Sequence, residues 1–219
     1  MPPAEGLALP DLAEAWRASG GNLRIPGFLG PELAGVLQRA LRAQNFEFVR
    51  SDTELFQHYR YPFWPDEACD HPLCAFARWL RTDGAAWVSA ISGRDLVSPV
   101  EQIFVGFWYG KGSWLDPHND FGKGRAIAFV IGLTSETWPA EEGGWLEFLD
   151  ADGRVRERRP PGFGTVDLFD VSHPRQIHQV PMLTGHHERL TISGWFYPRI
   201  PGEGIEPSPE GEVTAPGPG

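Results

Sequence analysis

Long apolar runs are missing from this sequence. No stretch approaches the ~20 residues that a helix needs to cross a bilayer, so no helical membrane anchor is expected. The first residues, Met1-Pro-Pro-Ala-Glu5, contain no basic region followed by an apolar core, so no secretion signal is expected either. Positive charge is also short. Nineteen Lys and Arg stand against 29 Asp and Glu, a formal charge of −10. Non-specific nucleic-acid binding needs cationic side chains to displace counterions, so this balance argues against it. A basic protein or peptide stays open as a partner. There are two cysteines, Cys69 and Cys74, in Cys-Asp-His-Pro-Leu-Cys. Two thiols five apart are no disulfide framework, so they read as buried free thiols in a reducing cytoplasm. With His71 between them they still lack a full set of metal ligands. No internal repeat is visible.

What is present describes a folded domain. The chain has 219 residues, 41 % of them hydrophobic, with nine Trp, enough for one well-buried core. Leu9 to Ala18 is a short amphipathic run closed by Gly20-Gly21. Leu33, Val36, Leu37, Ala40 and Leu41 follow Pro31 at three- and four-residue spacing, which predicts a helix. Phe46–Val49 reads as a strand. The prolines of Phe56–Pro65 suggest an aromatic loop, a candidate substrate lid whose His58, Tyr59, Arg60 and Trp64 are the groups to test first. Helical segments are expected at about Leu73–Leu80 and Ala85–Ile91.

From Val100 the pattern becomes that of strands. Ile103–Tyr109, Ala126–Leu133, Trp145–Leu149, Val155–Arg159, Gly164–Phe169, His178–Met182 and Arg189–Phe196 are short, β-rich and separated by turn residues. Ala126–Leu133 is nearly all apolar and should be covered on both faces. The run Arg154–Arg159 alternates like the solvated face of a strand. The fold class expected is mainly β with N-terminal helices, a cupin-like jelly roll, or double-stranded β-helix, with the helices packed on one sheet. The organisation expected is an extension at 1–24 and a domain at 25–199, split into a helical layer (25–99) and a jelly-roll core (100–199). A tail at 200–219, rich in Pro, Gly and Glu, is expected to be disordered.

Two stretches carry chemistry. In Trp114-Leu-Asp-Pro-His118-Asn-Asp120, His118 and Asp120 are two residues apart, so on an extended segment both point to one side. A third nitrogen ligand would complete two imidazoles and one carboxylate, a set that suits non-haem Fe(II) and leaves positions open. His178 is the choice for that ligand, with His173 the alternative. His186 and His187 lie on a glycine turn and read as solvated. Arg189, eleven residues after His178, would meet an anion beside the metal, and Arg189, Thr191 and Trp195 share one face of their strand.

Tyr109, His118-x-Asp120, Arg125–Leu133, Gly143-Gly-Trp-Leu, His178-Gln-Val and Arg189–Phe196 together resemble the Fe(II)/2-oxoglutarate oxygenases. Within them they are most similar to the prolyl-hydroxylase-like branch, and especially to the catalytic domain of ribosomal-protein prolyl 3-hydroxylases. The resemblance spans most of residues 25–198. It implies iron held by His118, Asp120 and His178, and 2-oxoglutarate held through its far carboxylate by Arg189, with Thr191 and Trp195 alongside and Tyr109 donating a hydroxyl. It implies O₂ as oxidant, with ascorbate as a candidate auxiliary reductant. The implied reaction is hydroxylation of an unactivated C–H bond, first of all of a prolyl residue in a protein or peptide, with release of succinate and CO₂. A hydroxylase of a free amino acid or natural-product precursor is the alternative, and a non-catalytic cupin-like metal sensor the second. Two features depart from the family. The second, non-catalytic jelly roll of the eukaryotic enzymes is missing, and Gly132 stands where they carry a tyrosine that contacts 2-oxoglutarate. That hydroxyl must be replaced by another donor or by water, or the acid is held differently.

Overall fold

The computed structural model describes residues 8–51, 56–99 and 102–200. The stretch read as a tail therefore lies, from residue 201 on, outside the described residues. Leu9–Ala18 forms α1 and Asn22–Ile25 forms β1. Pro31–Arg42 is α2, opened by Pro31 where no amide proton is needed. Leu37 and Leu41, one turn apart, are fully buried. Burying such a side chain contributes about 1.5–3 kcal/mol each. Glu47–Arg50 is β2 and Phe56–Phe63 is β3. Pro72–Trp79 is α3, which runs through a π turn at Leu80–Gly84 into α4, Ala85–Ser92. Among the described residues no helix is long and apolar enough to cross a membrane.

The remaining strands are β4 (Leu96–Val97), β5 (Phe104–Tyr109), β6 (Trp114–His118), β7 (Ile127–Leu133), β8 (Leu146–Leu149), β9 (Val155–Arg159), β10 (Phe163–Asp170), β11 (Ile177–Val180) and β12 (Arg189–Pro198). Their order is β1-β10-β7-β12-β5-β3-β6-β11-β8-β9, with β2 added to β3 and β4 to β12. Every pairing is antiparallel. This mostly antiparallel sheet curls into the half-barrel of a double-stranded β-helix, as the strand pattern led us to expect.

Side-chain alternation gives the sheet two different faces. Ile127, Phe129, Ile131 and Leu133 of β7, with Leu190, Ile192 and Phe196 of β12, pack against Leu37, Leu41, Phe76 and Ile91 of the helices. The intervening residues of the same strands turn into the barrel. There Ala128 joins Leu146, Phe148, Phe169 and Val171 in a second, smaller core, with Val130 and Trp195 against it. β7 is apolar throughout because each of its faces belongs to one of these cores.

Four expectations change. The aromatic segment 56–63 is the strand β3, not a loop. Its Pro62 is tolerated because β2 pairs only with Gln57–Arg60, so no partner on that edge needs the missing N–H. The basic run is not wholly solvated, since Arg159 is 5 % exposed and bonds Asp167 at 3.0 Å. The two thiols are not free. Cys69 and Cys74 form a disulfide around the start of α3, and His71 caps that helix by accepting from the Leu73 amide. The argument for a reducing cytoplasm loses its premise with them. Finally, the stretch read as an N-terminal extension supplies an edge strand to β10 and a helix against α4, with Trp16 buried.

Candidate metal centre and anion pocket

His118 ends β6 and His178 lies on β11, and the two are direct cross-strand partners. Their ring centroids are 4.2 Å apart. Asp120 follows two residues past His118, and its Oδ2 lies 3.6 Å from Nε2 of His178. One ligand atom from each of the three falls within 4.8 Å of the others. Nδ1 of His118 is 2.9 Å from the Asp116 carbonyl, and Nδ1 of His178 is 3.3 Å from the Gln176 carbonyl. A carbonyl only accepts, so each Nδ1 carries the proton and each Nε2 presents a lone pair. His178 packs on Phe169 at 4.9 Å. Burial, with His118 next to it, pushes its pKa down to about 4, against the pull of Asp120. At neutral pH this imidazole is uncharged, the form that binds a metal. A bare Nε2 and a carboxylate oxygen facing each other repel unless a cation lies between them. Two imidazoles and one carboxylate therefore fit a ferrous ion with positions to spare.

Arg125 fixes the carboxylate from behind. Its Nη1 donates to Oδ1 of Asp120 at 3.1 Å, leaving Oδ2 turned toward His178. The guanidinium itself lies 3.6 Å over the ring of Trp195, a cation–π contact.

The second feature sits on β12, separated from β6 in the strand order by β5 and β3. Arg189 opens β12 opposite Tyr109 of β5, with its guanidinium 5.0 Å from the phenol ring. It is 5 % exposed, and among the described residues it makes no hydrogen bond or ion pair. Burial lowers its pKa, yet a guanidinium stays charged. Burial pushes Tyr109 up to about 12 despite Arg189, so its hydroxyl remains a donor. Thr191, two residues on, faces the same way. A small cavity is lined by Arg189, Thr191 and Gly132 together with Arg24, Arg159 and Asp167. Three guanidinium groups against one carboxylate make it a place for an anion. An unpaired buried cation is costly, and a ligand carboxylate answers that cost with a bidentate fit.

Residues 106–197 match the model of the 2OG-Fe(II) oxygenase superfamily. The matched stretch runs from β5 to β12 and includes His118, Asp120, His178 and Arg189. Over 212 residues the chain is 26 % identical to the prolyl 3-hydroxylase OGFOD1 of Mus musculus, covering 88 % of this chain and 38 % of that protein's length. The fold is similar to a Pseudomonas putida prolyl-4-hydroxylase, with a TM-score of 0.67, 21 % identity, and coverage of 88 % of this chain and 100 % of that one. It is also similar to a Trichoplax adhaerens prolyl hydroxylase solved with a peptide of the hypoxia inducible factor oxygen degradation domain. There the TM-score is 0.66, the identity 14 %, and the coverage 87 % and 89 %.

The strand core brings His118, Asp120, His178, Arg189, Tyr109, Thr191 and Trp195 to its inner face. The four residues from the aromatic segment do not stay together. His58 turns inward, 6 % exposed and 5.3 Å from the Tyr109 ring. Tyr59 turns to the other face and packs on Trp108 at 4.5 Å. Arg60 is exposed and pairs with Glu47, and Trp64 is 57 % exposed beyond the strand. His173 bonds the Arg175 amide in its own loop, and His187 pairs with Glu142 at 2.8 Å. Sequence reasoning missed the tie from Arg125 to Asp120 and the charges around the cavity. Asp167 gave a usable signal, because a lone carboxylate inside Thr165-Val-Asp-Leu-Phe169 needs buried partners. Arg24 at 3.3 Å and Arg159 at 3.0 Å are those partners.

Proposed function

We propose that this chain is an Fe(II)- and 2-oxoglutarate-dependent dioxygenase that hydroxylates an unactivated C–H bond of a prolyl residue in a protein or peptide, releasing succinate and CO₂. The observation that carries this reading is the convergence of two bare Nε2 lone pairs and a carboxylate oxygen within 4.8 Å, in a sheet that also buries an unpaired guanidinium. His118, Asp120 and His178 would hold the iron. When bound, the iron supplies the activation of O₂ that is coupled to oxidation of the keto acid. The chain's own residues supply position. Arg189 would fix the far carboxylate of 2-oxoglutarate, and Tyr109, protonated at working pH, would donate to it. Phe148, Phe169 and Val130 would keep water from the reacting centre. Arg125 holds Asp120 to one orientation, and Trp195 offers an aromatic wall at the mouth. The prolyl substrate is supported by the likeness to a mouse protein named as a prolyl 3-hydroxylase.

Anaerobic Fe(II) and 2-oxoglutarate should together give a weak visible charge-transfer band, and His178→Ala should remove it. A band that survives the substitution rejects the ligand assignment. For the substrate, intact-mass screening of proline-containing peptides should detect addition of one oxygen atom. Turnover of a free amino acid with no peptide turned over would reject the prolyl-peptide reading.

A further inference from the structure

Gly132 has two cross-strand partners. Thr165 of β10 pairs with it on one side and Thr191 of β12 on the other. Directly opposed residues share a face of the sheet, so two hydroxyls flank the one position without a side chain. A Cβ built on Gly132 would lie 2.6 Å from Oγ1 of Thr165 and 2.4 Å from the carbonyl oxygen of Gly162. Only glycine fits there, because the Gly162 carbonyl and the Thr165 hydroxyl together crowd that position. Gly162 makes room in the same way, since a Cβ on it would lie 2.7 Å from Cγ2 of Thr165.

The oxygens of both threonines are buried, and among the described residues neither has a hydrogen-bond partner. An unbonded buried hydroxyl is unfavourable, and here one, that of Thr191, lines the cavity with Arg189 while the other, that of Thr165, lies across Gly132 from it. Asp167, the carboxylate among the cavity's lining residues, is already engaged by Arg24 and Arg159. Arg189 and Thr191 line the cavity with Gly132, and the Thr165 hydroxyl stands behind Gly132 beside the Gly162 carbonyl. A ligand carboxylate, with about four lone-pair sites, matches these donors.

We propose that Thr165 is a co-substrate-binding residue. Its hydroxyl, standing in the place of a side chain at position 132, donates with Thr191 and Arg189 to the far carboxylate of 2-oxoglutarate. The inference rests on the proposed function, and it moves the donor missing from β7 to the neighbouring strand β10.

The test is calorimetric titration of the full chain loaded with Mn(II), a redox-silent stand-in for iron. The probes are 2-oxoglutarate and 2-oxobutyrate, a keto acid that lacks the far carboxylate. Thr165→Val should weaken 2-oxoglutarate about ten- to hundred-fold, the effect of one hydrogen bond to a charged group. It should leave the affinities for 2-oxobutyrate and Mn(II) unchanged, and Thr165→Ser should restore wild-type binding. Thr165→Ala, which adds no bulk, reports the same loss should the valine variant fold poorly. Unaltered 2-oxoglutarate binding in both variants, while Arg189→Met abolishes it, overturns the role of Thr165 and leaves the proposed function standing. Equal loss of both keto acids makes Thr165 structural and also overturns it. A wild-type protein that binds Mn(II) but not 2-oxoglutarate overturns both readings.

Discussion

Arg125 takes one oxygen of Asp120 at 3.1 Å and thereby turns the other toward His178, 3.6 Å away. The carboxylate is held before any metal arrives, so less ordering is left for the binding event. Removing the tie should loosen metal binding without removing a ligand. Arg125→Gln is expected to weaken Fe(II) or Mn(II) about 10- to 100-fold, the usual effect of losing a partner that orients a ligand. Titration of the metal into the apoprotein measures it. Unchanged affinity would mean that the salt bridge serves only the surface around Trp195.

Arg189 should reveal itself through stability. A buried cation without a carboxylate partner destabilises the unliganded fold, and apolar replacements of buried charges are often neutral or stabilising. Arg189→Met should therefore raise or preserve the denaturation midpoint of the ligand-free protein. With Mn(II) present, 2-oxoglutarate at a hundred times its Kd should stabilise the wild type by about 2.7 kcal/mol and the variant not at all. Chemical denaturation with and without the acid separates the two effects. A variant that is less stable in the absence of ligand assigns Arg189 a structural role.

Two buried histidines set the acid limit of the metal-free protein. Burial, helped by Arg60 and Arg189, pushes His58 down to about 4, and burial with His118 does the same to His178. Both titrate near 6.5 in the unfolded chain. Between those values the unfolded chain binds protons that the folded chain refuses, so stability falls as pH drops from about 6.5 to about 4 and levels off below. Each group accounts for about 3 kcal/mol across that window. Urea midpoints at pH 7 and pH 5 check the slope, and His58→Phe should flatten it. Equal midpoints at the two pH values would show that these rings take up protons inside the fold.

The local readings that held are those in which one residue's neighbours along the chain decide the outcome. The spacing of Leu33, Leu37 and Leu41 marked α2, and the unbroken apolar run of β7 announced two covered faces. The His-x-Asp pair was legible because a two-residue step on extended chain fixes the side on which both leave. Prolines misled at 56–65, since whether a strand tolerates Pro62 depends on where β2 ends, and that is a property of the partner.

Sequence alone determined the kinds of donor available and the face each would take, because alternation and turn chemistry act over a few residues. Tertiary structure decided which of them meet. His178 faces His118 across sixty residues, Arg125 chooses an orientation for Asp120, and Gly162 and Thr165 crowd the space beside Gly132. These outcomes depend on strand order and register, and those are set by how the whole sheet buries its two faces at once.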